Sequence, residues 1–190
     1  MTQAPLAKIR AATAAEVCAN FSLDVEAKKL LRDGMNPQEF LTALIEKKKH
    51  VAAIDFMAHA LPAREGVWWG CLCMQHALGD NLPPAERAAA TAAVQWVMRP
   101  TEENRTVAKA PAESADPLSP AGALAMAVNQ TGGSVAPPSS PSVAPPPFAT
   151  AQAIARAVKL ASLRTEPASL AKTQRGYVEL AMRVAEGRLG

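Results

Sequence analysis

Aromatic residues are scarce in this chain: four phenylalanines, three tryptophans and one tyrosine make up 4% of its 190 residues. A core built from such a sequence has to be filled by aliphatic and alanine side chains. Runs of β-branched residues with alternating polarity are missing too, so no segment reads as a strand. No stretch approaches the ~20 consecutive apolar residues of a membrane span. The amino terminus, MTQAPLAKIRAATAAEVCANF, lacks the apolar stretch that follows the charges of a secretory leader, which gives the cytoplasm as the expected location.

Charge of one sign is also lacking. Twenty basic and seventeen acidic residues leave a formal net charge of +3, too balanced for nucleic acid or an anionic membrane to be the expected partner. The one dense basic run, Lys47, Lys48 and Lys49, points in three directions on a helix and reads as a solvated turn. There is no phosphate-binding glycine loop, nucleophile elbow or paired-histidine zinc motif. The three cysteines, Cys18, Cys71 and Cys73, form an odd set with two only one residue apart, poor geometry for a structural disulfide framework.

What is present in excess is alanine, the strongest helix former, and the expected fold class is all-α. One or two short helices fill the first thirty residues, with Leu23, Val25, Leu30 and Leu31 as expected core positions. Asn36, Pro37 and Glu39 then make a helix start: an amide acceptor, a proline where no donor is needed, and a carboxylate at the third position. Phe40, Leu41, Leu44 and Ile45 share one face, as do Val51, Ile54, Met57, Ala58 and Leu61, with a break at Glu46 to His50.

Pro62 stops that run. A helix follows from Ala63 to Leu78, ended by Gly79, Asp80 and Asn81; another runs from Pro83 and Pro84 to Met98. Thr101 with Glu102 and Glu103 suits a further N-terminus. A helix over Pro120 to Asn129 is followed by TGGSVAPPSSPSVAPPPF at 131 to 148, whose six prolines favour extended polyproline II. Thr150 is expected to cap a helix carrying Ile154, Val158 and Leu160, and a last helix starts near Pro167.

The expected organisation is therefore stacked antiparallel helical pairs over 1 to 130, in the manner of a small HEAT or tetratricopeptide array, a connector at 131 to 148, and a terminal helical hairpin over 149 to 190 packing on the same domain.

Binding is the expected role. Trp68 and Trp69 lie ~100° apart on a helix and cannot both point straight into one narrow core stripe; both can still pack in the core, since tryptophan straddles buried and wet surface, and where exposed they are contact candidates. In the connector, Pro137, Pro138 and Pro141 include the spacing that proline-reading grooves recognise; the alternative there is a tether or a strap over the helices. The main rival is a thiol- or metal-dependent enzyme built on Cys71, Cys73 and His76, with His59 one helix earlier. On a helix, however, Cys71 and Cys73 diverge by ~200°, and no glycine-rich turn or orienting carboxylate accompanies them. No catalytic residue, metal ligand or cofactor is expected. A structural subunit of a homo-oligomer is a second alternative.

The succession His59-Ala-Leu-Pro62, VWWGCLC at 67 to 73, PPAER at 83 to 87, LAMAV at 124 to 128, then GGSVAPP and PPP resembles an uncharacterised all-helical family of proteobacteria, often encoded near type VI secretion genes. The resemblance spans residues 37 to 185 and implies a cytoplasmic accessory, adaptor or chaperone whose partner is a secretion-apparatus component or an effector. It carries no functional residues over to this chain.

Overall fold

The computed structural model describes residues 4–79, 81–116, 118–136 and 140–189, and among them every regular element is helical. In chain order these are α1 (Ala14–Cys18), α2 (Val25–Lys28), α3 (Pro37–Glu46), α4 (His50–Ala60), α5 (Ala63–Leu78), α6 (Pro84–Met98), α7 (Glu102–Val107), α8 (Lys109–Ser114), α9 (Pro120–Asn129), α10 (Ala149–Ser162), a 3-10 turn (Pro167–Ser169) and α11 (Leu170–Ala185). None is long and apolar enough to cross a membrane.

Local chemistry sets most boundaries. The Asn36 side chain accepts from the Glu39 amide while the Glu39 carboxylate accepts from the Asn36 amide, a reciprocal capping box at α3. Lys48, at φ 56°, turns α3 into α4 at the expected break. Thr101 and Ser119 accept from Asn104 and Gly122 at the starts of α7 and α9. Gly79 ends α5 at φ 55°; Asp80 lies outside the described residues.

The expected cap at Thr150 is not what forms. α10 begins two residues earlier, its N-cap is Phe148 in the left-handed region at φ 59°, and the Thr150 hydroxyl instead donates to the Gln130 carbonyl, tying α10 to the end of α9. Two core expectations also fail, because Val25 and Val51 are exposed: the first turn of each short amphipathic segment faces out while Ala27 and Ile54 face in. Leu23, Leu30 and Leu31 pack against the core from its edge.

α5, α9 and α10 occupy the centre. α10 packs on α9, α5, α4 and α11; α9 packs on α6, α8 and α5; α11 lies across α4 and α5 as well as touching α10. In a solenoid each unit meets only its sequence neighbours. Here helices far apart in sequence close on one another, so the pairs form a closed cluster and not an extending array. Trp69, fully buried, donates its indole N–H to the Tyr177 carbonyl at 2.8 Å, a link between α5 and α11. Gly66 and Gly70, one turn apart on α5, let Ile154 of α10 and Leu124 of α9 come close to the backbone.

The described part of the connector folds back on the helices. Val135 donates to the Val143 carbonyl, and Ser134 Oγ accepts from Ala136 and Val143. At its start the buried Arg105 holds Glu102 with two short hydrogen bonds and donates a third to the Asn129 carbonyl at 2.6 Å, at the C-terminal end of α9, where a cation suits the helix dipole. Gly133, at φ 62°, lies against that Arg105–Glu102 pair.

Candidate protein-binding surface

Cys71 and Cys73 are both buried; burial pushes the Cys71 thiol up to about 12 and Cys73 well above its ordinary value, and half-burial takes Cys18 to about 11. A thiol so disfavoured as thiolate is a poor nucleophile and a poor metal donor at neutral pH. His76 is exposed, with its Nδ1 3.4 Å from the Tyr177 hydroxyl. Among the described residues no three His, Cys, Asp or Glu side chains converge to hold a metal.

His59 lies apart from the thiols. Its ring stacks on Phe21 at 4.6 Å between centroids and meets Phe148 at 6.3 Å. The Asp55 carbonyl, 2.8 Å from Nδ1, can only accept, so Nδ1 carries the proton. Nε2 is then a buried acceptor with no partner. Desolvation holds this imidazole below its ordinary pKa, with the nearby Lys159 acting in the same direction. The ring packs the amino-terminal segment and the end of the connector onto α4.

The two tryptophans part company in the structure. Trp69 is fully buried, so it cannot meet a partner, and as a contact residue it is corrected to a core one. Trp68, the next residue, is only partly buried and borders an open groove of about 640 Å³ between α5 and α6. The ~100° step between neighbours separates the two roles. Cys71, Leu72 and Met74 continue the α5 wall, and Leu82, Ala90 and Val94 the opposite one. Among the described residues, Arg87 is the one charged side chain lining it. The Trp68 indole nitrogen is buried without a hydrogen-bond partner.

On the far side of α6 lies a second groove, about 690 Å³, between α6 and the α7–α8 segment, with Pro84, Ala88, Ala92, Val107 and Pro111 along it. Arg87, Thr91 and Gln95 line both grooves, so this i, i+4, i+8 row forms a ridge between them. Val94 and Met98 add exposed apolar surface, 38% and 74% exposed. The outward face of α11 shows what an ordinary wet helix carries in the same protein: Lys172, Arg175, Glu179 and Arg183.

Sequence reading reached the α5 side of this surface through Trp68 and missed the α6 side. The signal was there as position: on α6 the residues three and four apart at 84, 87, 88, 91, 94, 95 and 98 include one charge only. In the connector, Pro137 and Pro138 lie outside the described residues, and Pro141 is exposed.

A family model matches residues 40–185, and the chain belongs to that family, a family of unknown function (DUF6931). The match lies within the span 37 to 185 that carries the resemblance and brings no secretion context with it. No curated protein and no solved structure matches the chain.

Proposed function

We propose that this chain is a non-enzymatic, cytoplasmic protein-binding accessory, an adaptor or chaperone, which receives a helical segment of another protein in the groove between α5 and α6. The observation that carries the reading is the groove itself: Trp68, Leu72, Leu82 and Val94 leave apolar surface open to water, with Arg87 the one charged side chain among the described residues that line it. Contiguous exposed apolar surface of this kind marks interaction sites in water-facing proteins. A partly buried tryptophan at its wall is the residue type that dominates binding energy at such sites. The buried, protonated thiols support binding over a thiol enzyme.

The resemblance adds a partner class to this proposal, a component of a type VI secretion apparatus or an effector it exports. Pro141 and its neighbours in the connector form a second contact candidate, which deletion of residues 136 to 146 tests separately. The test of the main reading is co-purification of the tagged chain, expressed at its native level in its source organism, followed by mass spectrometry. A specific partner lost with Val94→Glu and Trp68→Ala, and kept with Leu163→Glu at an exposed apolar position outside the groove, is the expected result. Equal recovery by all three variants would remove the groove from the function.

A further inference from the structure

α4 opens behind a run of lysines, and its first amides are unspent. The Lys49 amide donates back to the Leu44 carbonyl and the Ala53 amide to the Lys49 carbonyl, which leaves the amides of His50, Val51 and Ala52 without a hydrogen bond among the described residues. No side chain caps them. The positive end of a helix dipole repels cations, yet Lys47, Lys48 and Lys49 gather there. Lys49 is drawn off to Asp24 at 3.6 Å; Lys47 and Lys48 stand exposed with no acid beside them among the described residues.

His50 is a second, independent sign. It is 7% exposed and has no hydrogen-bond partner among the described residues, so a polar ring is covered without being satisfied. The Nε2 of His59 is sealed from water, whereas both His50 nitrogens keep contact with it, so the opening left to this ring lies at its polar edge. As the first residue of α4 it leans toward the helix start, where the open amides point. Three charged groups lie near it: Lys48 on its own turn, and Arg175 and Glu179 on α11. The Arg175 Nε donates to the Glu179 carboxylate at 2.9 Å, which neutralises that acid and leaves the outer guanidinium N–H groups without a partner among the described residues.

We propose that the start of α4 binds a phosphate group, free or as the monoester of a small molecule: the Val51 and Ala52 amides, the His50 imidazole and the Lys48 ammonium donate to its oxygens, with Arg175 facing it from α11. Amides of a first helical turn run nearly parallel and converge on one oxyanion. A phosphate presents three terminal oxygens and close to two charges, enough acceptors for these donors, while a carboxylate presents two oxygens and one charge. The site shares no residue with the α5–α6 groove, so each can fail alone.

The test titrates the purified full chain, labelled with nitrogen-15, with inorganic phosphate and separately with phenyl phosphate, against sodium chloride at matched low ionic strength. Three histidines give three ring signals. The His50 ring and the Val51 and Ala52 amides should shift together and saturate, while the His59 and His76 rings stay put. Lys48→Gly removes the ammonium and suits the φ of 56° at that position, so the fold is kept; binding should weaken roughly tenfold, as hydrogen bonds to charged groups are the strong ones. His50→Gln should weaken it as well. Arg99→Gln, an exposed cation lost at the end of α6, a helix packed on α5, α7, α8 and α9, should leave it unchanged. Tighter binding of phenyl phosphate assigns a phosphomonoester, and equal or tighter binding of phosphate assigns the free ion. No saturable shift of the His50, Val51 and Ala52 signals at about 10 mM of either, an equal shift with sodium chloride, or undiminished binding by Lys48→Gly overturns the site.

Discussion

Three glycines inside helices make a graded test of how closely α5 is packed. Replacing an interior helical glycine by alanine normally stabilises by about 1 kcal/mol, because the chain loses less freedom on folding. At Gly176 on α11 an added Cβ meets nothing within 4 Å, so Gly176→Ala should raise stability by about that amount. At Gly66 the Cβ would stand 2.8 Å from the Ile154 terminal methyl, with the rest of that side chain no nearer than 3.9 Å. Turning one methyl aside costs roughly 0.5–1.5 kcal/mol, which cancels the gain. At Gly70 the Cβ would stand 2.5 Å from one Leu124 methyl, 3.4 Å from the other and 3.6 Å from Cγ. The whole Leu124 side chain must then shift in a site with no exposed surface. Overpacking of this kind costs roughly 1–3 kcal/mol, which against the gain leaves a net loss centred on about 1 kcal/mol. Urea unfolding at constant slope should order the midpoints Gly176→Ala above wild type, Gly66→Ala near it, and Gly70→Ala below it. Adding Leu124→Val to Gly70→Ala should cost less than the sum of the two single changes. If Gly70→Ala stabilises as much as Gly176→Ala, the close approach of α5 and α9 is wrong.

The thiols should resist alkylation in the native chain at pH 8 and all react in denaturant, with Cys71 and Cys73 the slowest; quantitative native labelling of Cys73 would contradict its burial. Because folding raises the Cys71 thiol from 9.0 to about 12, its neutral form stabilises the fold below about pH 9, and that contribution is lost as pH rises from 9 towards 12, measurable as falling urea midpoints. His59 and His50 have the opposite sign: desolvation lowers their folded pKa values below 6.5, so the unfolded chain takes up the protons first, and stability should fall as pH drops below 6.5. His59→Phe should flatten that part of the profile, and an unchanged slope would place the pH sensitivity elsewhere. Gly133→Ala should destabilise by roughly 1–3 kcal/mol in the same urea assay, since it strains a left-handed backbone position and drives a methyl into the Arg105–Glu102 pair.

Much of the fold was legible because its boundaries are set by neighbours in sequence. The capping box at Asn36, the prolines at 62, 83 and 84, Gly79, and the Thr101 cap all act within one helical turn, and the helices begin and end where these residues say. Thr150 misled because a hydroxyl near a helix start has two uses: it met the Gln130 carbonyl, which the fold of the connector brings to it across twenty residues. Val25 and Val51 were placed inside by periodicity alone; the four-residue α2 carries too few turns to fix which face is covered, and Val51 sits in the first turn of α4, where the covered face is set by what packs there.

The candidate surface divides the same way. An adjacent Trp pair showed that the two indoles point ~100° apart, but whether both stay in the core, and which one leaves it, was not a local matter. It was decided by α11, whose Tyr177 carbonyl waits where the Trp69 N–H arrives. The α6 side was harder to see, because its alanines look alike in sequence whether buried, as Ala89 and Ala93 are, or exposed, as Ala88 is.

The sequence by itself determined the all-helical class and most of the helix ends, since these follow from propensity, capping and spacing along a few residues. Only the tertiary structure decided that the helices close into one cluster, that Trp69 is core while Trp68 borders a groove, and that α6 turns a charge-poor face outward. Those outcomes depend on which surfaces meet across distances of many tens of residues, where small side chains such as Gly66 and Gly70 allow contact and larger ones forbid it.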